Sequence, residues 1–190
     1  MKTIKLFSLS LIAAITLNSC SDDDSSPEPI IEQEVITTIN IELEDVDNPT
    51  NTATFLWSDS DGDGLEDLVN VDNLTANTTY SGAITFLNEL ENPAEDITQE
   101  ILAEDEEHQI FYIPNTTLDL TTSYDDVDNV GNPVGLDFTL TTGDASNGVL
   151  TVFLIHEGNK FAEGASEGVL TDGVGGETDI EVNFDVNIED

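Results

Sequence analysis

Arginine is missing from this chain, and Lys2, Lys5 and Lys160 are its only lysines. Against them stand 41 Asp and Glu residues, for a formal net charge of -38 at pH 7. A chain so poor in bases has no means of neutralising phosphates and releasing their counterions, so nucleic acid is excluded as a partner. The same sign argument disfavours docking on anionic lipid. The lack of arginine also removes the bidentate clamp that holds carboxylate or phosphate substrates. Cysteine occurs once, at Cys20, which excludes an internal disulfide. What the chain does have is a 38% hydrophobic fraction, arranged periodically, and that predicts a folded domain. Self-repulsion at this charge density opposes compaction unless cations offset it.

The first residues carry an address. Met1, Lys2 and Lys5 give a positive start, and Leu6 to Leu17 gives an apolar stretch too short to span a bilayer permanently. It ends in Leu17-Asn18-Ser19-Cys20, which resembles the lipobox cut by the lipoprotein signal peptidase. Residues 1–19 are therefore read as a lipoprotein signal peptide. Cys20 is the expected lipidation site, carrying diacylglycerol on sulfur and an amide-linked chain such as palmitate. Two or more acyl chains make such anchoring stable. The acidic run Ser21-Asp22-Asp23-Asp24 resembles the export tag for the outer face of the outer membrane. Residues 20–34 read as a lipidated flexible tether, able when extended to lift a domain roughly 45 Å.

Residues 35–190 suit one domain with one core. Val35, Thr37, Ile39, Ile41 and Leu43 alternate with mostly polar neighbours, and Ala53, Phe55 and Trp57 continue the style. Leu118 to Tyr124, Leu136 to Leu140 and, most regularly, Ile180 to Ile188 do the same. Period two predicts strands with one buried and one wet face. Val149 to Ile155 is apolar on both faces and reads as a central strand. The expected fold is all-β, a two-layer antiparallel β-sandwich. One short helix is predicted over 93–104, opened by Asn92-Pro93-Ala94-Glu95, with Ile97, Ile101 and Leu102 as its buried stripe. Matches at offsets of 66 to 68 residues (Trp57 with Tyr124, Asp59 and Asp61 with Asp126 and Asp128, Gly64 with Gly131, Ser81–Phe86 with Asn147–Val152) predict two similar halves.

Asp59-Ser60-Asp61-Gly62-Asp63-Gly64-Leu65-Glu66-Asp67 is the strongest chemical signal. Calcium takes six to eight hard oxygen ligands around a sharply turned loop. Asp59, Asp61 and Asp63 stand at loop positions 1, 3 and 5, and Gly64 permits the turn at 6. Leu65 offers its carbonyl at 7, Asp67 follows at 9 and Asn70 at 12. The segment resembles the calcium loops of thrombospondin type 3 modules. It departs from the EF-hand loop at Glu66 and Asn70 and in lacking an entering helix. Two Asp-Gly pairs are also the signature of a hairpin turn, so calcium loop and plain turn both stand. Asp126 and Asp128 form a second, weaker metal loop, since Val130 occupies its fifth ligand position.

Other patterns carry less. Gly164-Ala165-Ser166-Glu167-Gly168 fits G-x-S-x-G, but both histidines precede the serine and the flanks read as loop. His108 and His156 stand as alternative ligands of a transition metal, with Glu106, Glu107 or Glu157 nearby, or as ordinary strand residues. Trp57, Tyr80, Tyr112 and Tyr124 offer sugar-stacking faces or core packing, and strand parity favours the core for Trp57 and Tyr124. Asn73, Asn77 and Asn115 head N-x-T sequons that are incidental in a bacterial lipoprotein.

Leu17-Asn18-Ser19-Cys20-Ser21-Asp22-Asp23, the Asp59-to-Gly64 loop, Pro93-Ala94-Glu95-Asp96-Ile97-Thr98, Glu106-Glu107-His108-Gln109, Gly131-Asn132-Pro133-Val134-Gly135-Leu136 and Gly175-Gly176-Glu177-Thr178-Asp179-Ile180 resemble a family of small surface lipoproteins of uncharacterised function from Gram-negative bacteria. Members are sometimes labelled as a type 1 periplasmic binding fold, which implies a two-domain α/β clamp, whereas this chain is short and rich in strand signals. The resemblance implies no activity for any residue here. The expectation is a non-catalytic, calcium-stabilised sandwich for binding or adhesion, lipid-anchored at the outer membrane with a glycan or protein ligand. The alternatives are a glycan-capture accessory of an outer-membrane transporter and a histidine-metal enzyme.

Overall fold

Alternation of apolar and polar side chains decides which residues face which layer. In the computed structural model, which describes residues 34–190, that alternation builds eleven strands and one helix. In chain order the strands are β1 (Thr38–Asp45), β2 (Thr52–Ser58), β3 (Leu68–Val71), β4 (Leu74–Thr75), β5 (Thr79–Asn88) and β6 (Glu95–Asp96). After helix α1 (Ile97–Ala103) come β7 (His108–Pro114), β8 (Leu120–Tyr124), β9 (Asp137–Thr142), β10 (Ser146–His156) and β11 (Glu177–Glu189). One sheet has the order β3-β2-β1-β5-β9-β8, with β6 on the end of β5; the other runs β4-β11-β10-β7. All pairs are antiparallel except β11 with the two-residue β4. The protein is an all-β sandwich of two packed sheets. Cys20, the expected signal segment and all of the expected tether except its last residue, Glu34, lie outside the described residues. No helix among the described residues is long and apolar enough to cross a membrane.

Ile39, Ile41 and Leu43 of β1, Ala53, Phe55 and Trp57 of β2 and Val182, Phe184, Val186 and Ile188 of β11 all point into one core. Two aromatic contacts tie the layers together, Phe55 to Phe184 at 5.7 Å and Tyr112 to Phe138 at 4.1 Å between ring centroids. Truncating a buried ring such as Phe55 to alanine costs about 3–5 kcal/mol. The Phe138 ring lies so close to Gly82 of the neighbouring strand that a Cβ there would approach it to 2.6 Å. Glycine inside β5 is therefore a packing requirement. The central strand expected at Val149 to Ile155 is β10, paired on both sides. A second small cluster of Phe111, Ile155, Ala165 and Val174 covers part of its outer face.

The helix is shorter than its sequence signals. Glu95 and Asp96 pair with Asn88 and Leu87 as β6, which delays the helix to Ile97. Asn92 and Pro93, expected at its start, precede it. Asp96 occupies the N-cap position without a side-chain cap. From that start Ile97 and Ile101 are one turn apart and both buried, while Leu102, rotated about 100° further, is exposed.

The repeat survives only in part. Its matched segments do become β2 and β8, and β5 and β10. In each half the first strand pairs with the last, β1 with β5 and β7 with β10. The second strands differ: β2 stays beside β1, while β8 crosses to the other sheet and pairs with β9.

Candidate metal sites

The first acidic loop leaves β2 at Ser58 and returns as β3 at Leu68. Asp59 is buried and organises the turn. Its Oδ1 accepts from the amides of Gly62 (2.8 Å) and Asp63 (3.2 Å), and its Oδ2 from Gly64 (2.7 Å). Gly64 has φ +86 with open space where a Cβ would stand, so backbone conformation alone demands glycine there. At the closing end, Asp67 Oδ2 accepts from the Ser60 amide (2.9 Å) and hydroxyl. These two bonds, the hydroxyl first, hold the Asp67 carboxyl below its usual range.

One carboxylate oxygen each from Asp59, Asp61 and Asp67 fall within 4.8 Å of one another. The negative charge of Asp63, then those of Asp67 and Asp59, hold the Asp61 carboxyl above its usual range. Asp63 is outside that cluster; its Oδ1 accepts from the Leu65 amide at 2.9 Å. Leu65 is exposed. Asn70 lies in β3 opposite Leu56, and two strand residues beyond Leu68 amount to about 7 Å. The strand carries Asn70 away from the turn, and of the loop's four aspartates Asp59, Asp61 and Asp67 converge.

The second loop, 125–135, spends its carboxylates differently. Asp126 accepts from the amides of Gly135 (2.7 Å), Leu136 (2.7 Å) and Asp137 (3.1 Å). Asp128 accepts from the amides of Val130 (3.0 Å) and Asn132 (2.8 Å), and from the Lys160 ammonium at 3.2 Å. Lys160 also donates to the carbonyls of Asp105 and Pro133. Both side chains of the ion pair are buried. Burial raises the Asp128 pKa, but the Asn132 amide, Lys160 and the Val130 amide outweigh it, and the net shift is downward. For Lys160, burial outweighs its partner and lowers the pKa. Protein donors already occupy this loop's oxygens.

The two histidines, far apart in sequence, meet face to face. His108 opens β7 and His156 ends β10, and they are direct partners in the ladder. Their rings stack with centroids 4.5 Å apart at 12°. On the inward face of their sheet His108 continues the row of Ile110 and Tyr112. His156 continues the neighbouring row of Leu150, Val152 and Leu154.

His108 Nδ1 lies 3.2 Å from the Glu104 carbonyl, and its Nε2 lies 3.7 Å from Asp179 Oδ2, both side chains fully buried. His156 Nε2 lies 3.5 Å from the exposed Glu107 carboxylate. His108 Nε2, His156 Nδ1 and both Asp179 oxygens are buried without a hydrogen-bond partner. Each such atom typically costs about 1–3 kcal/mol. Burial lowers the His108 pKa, against the opposing pull of the Glu104 carbonyl. Burial likewise raises Asp179 to about 6. Glu34 is raised to about 7 by burial, by a hydrogen bond with Glu100 and by repulsion from Glu100, Asp179 and Glu104.

Of the acids named beside the histidines from sequence, Glu107 and Glu157 do group with His156, whereas Glu106 joins neither cluster among the described residues. Sequence reasoning missed Glu34, Glu104 and Asp179. Strict alternation assigns Asp179 to the outer face with Glu181 and Asn183, and only a break in the ladder explains its burial.

The remaining candidates are structural. Trp57, Tyr80 and Tyr112 are buried. Tyr124 is half-buried, and its hydroxyl donates to the Ile110 carbonyl at 2.8 Å. Ser166 is exposed on a single 3-10 turn, its hydroxyl bonded to the adjacent Glu167. The fold is an acidic β-sandwich that carries two chemically distinct groups of side chains able to hold a metal ion, one all-carboxylate and one built on histidines. Comparison with family models, curated proteins and solved structures finds no match to this chain.

Proposed function

We propose that this protein is a lipid-anchored, non-catalytic binding or adhesion module whose β-sandwich is stabilised by calcium at the 59–67 loop. The observation that carries the calcium reading is the approach of Asp59, Asp61 and Asp67 oxygens to within 4.8 Å of one another. Like charges held so close repel, and a hard divalent cation relieves that repulsion while matching an all-oxygen ligand set. The anchor rests on the Leu17-to-Cys20 sequence and puts the domain where external calcium is abundant. The burial of Trp57, Tyr80 and Tyr112 leaves the aromatic glycan platform without those three faces, so binding or adhesion through the polar surface is the better-supported role.

Thermal melts of the purified chain in calcium and in EDTA test the reading. A higher melting temperature in calcium, lost in Asp61→Asn, is expected; identical curves would remove the metal from the account. The anchor has its own test. Replacing Cys20 with serine is expected to abolish palmitate labelling and release the protein from membranes, and continued labelling would refute lipidation at that residue.

A further inference from the structure

The β10–β11 ladder skips one residue. Ile155 pairs with Thr178 and Leu154 with Ile180, which leaves Asp179 as the extra residue of a bulge. Bulges re-aim side chains, and this one takes Asp179 out of the exposed row of Glu181 and Asn183 and buries its side chain completely. Neither carboxylate oxygen accepts a hydrogen bond there.

His108 faces it as a second acceptor. With its Nδ1–H donated to the Glu104 carbonyl, the neutral ring turns the lone pair of Nε2 toward Asp179 Oδ2 at 3.7 Å. Two acceptors opposed in a dry site repel unless a cation lies between them. Zinc bonds of about 2.0–2.2 Å to nitrogen and oxygen hold adjacent tetrahedral ligands roughly 3.3–3.6 Å apart, and the observed 3.7 Å needs only a slight closing of the pair. The Nδ1–carbonyl contact is also the outer-shell bond by which metal-binding histidines are oriented.

We propose that His108 Nε2 and the Asp179 carboxylate bind one zinc-class divalent ion, with His156 and Glu104 completing its coordination. Glu104, His108 and His156 each bring a ligand atom within 4.8 Å of the others, a group that Asp179 meets through His108 alone. The buried Nδ1 of His156 has no partner, and that ring reaches the ion by leaving its stack on His108. Imidazole with carboxylate selects a borderline metal over calcium. This site is independent of the 59–67 loop and survives failure of the calcium reading.

The test is zinc titration of the EDTA-stripped, dialysed chain in about 10 mM calcium, enough to fill a weak extracellular-type oxygen site. One equivalent of zinc is expected to bind, and cobalt in its place to give the intense visible bands of tetrahedral coordination. His108→Gln and Asp179→Asn are each expected to weaken binding at least tenfold, while Asp61→Asn leaves it unchanged. No zinc uptake by the unmodified chain overturns the proposal, since the pair then holds a proton only. Binding unaffected by both substitutions overturns it equally. Should the variants fail to fold, histidine NMR of the unmodified chain decides, because zinc must shift the His108 Nε2 resonance.

Discussion

The loops at 59–67 and 125–135 begin from the same sequence idea and end in different chemistry. Both follow a strand with an aromatic residue at or beside its end, Trp57 and Tyr124. Both set aspartates two apart, and both turn on a glycine with positive φ, Gly64 and Gly131. In the second loop, amides and Lys160 fill the oxygens of Asp126 and Asp128. In the first, Asp59 is satisfied by amides but Asp61 remains exposed among three other aspartates. A carboxylate saturated by protein donors is a structural bolt. One left among its own kind creates a demand for a cation.

The comparison is broken most forcefully at Lys160. Lys160→Met leaves Asp128 buried without its counter-charge, and removing one partner of a buried pair costs about 3–5 kcal/mol. Urea denaturation is expected to show that loss equally with and without calcium. A loss below about 1 kcal/mol, the range of exposed pairs, would put the second loop in the same class as the first.

Calcium has the next largest effect, and it should belong to the first loop alone. For a dissociation constant near 10⁻⁴–10⁻³ M, about 10 mM calcium stabilises by roughly 1.4–2.7 kcal/mol. That corresponds to a rise of about 3–10 °C in melting temperature for a domain of this size. Asp61→Asn is expected to remove the rise. Asp125→Asn, which alters an exposed second-loop carboxylate bonded to Thr139, should leave it intact. A response that follows Asp125 instead would reverse the assignment of the two loops.

Much of the fold was legible because period two is a local signal. The parity of Ile39, Ile41 and Leu43, and of Val182 to Ile188, placed those side chains in the core. The helix boundary was not, since β6 claims Glu95 and Asp96 through its pairing with β5. The first loop showed its aspartates in sequence, yet the departure of Asn70 along β3 depends on strand pairing with β2. The histidine cluster was the least legible. His108 meets His156 through ladder register, and Asp179 reaches them through a one-residue bulge, neither of which leaves a mark in local spacing.

The smallest effect is also the sharpest discriminator, because Asp61 of the first loop and Asp128 of the second should titrate in opposite directions. Asp61 has its folded pKa raised above 3.8, first by Asp63. The folded state therefore binds that proton more readily than the unfolded chain, and the group contributes stability as pH falls. Asp128 has its folded pKa lowered below 3.8. Its contribution is present above that value and is lost as pH falls through the folded pKa. Carboxyl carbon NMR without calcium should place Asp61 above 3.8 and Asp128 below it. Asp63→Asn should return Asp61 toward the ordinary value and leave Asp128 where it was. If Asp61 does not move, Asp63 is not the source of its strain, and the first loop loses the repulsion that makes a cation welcome.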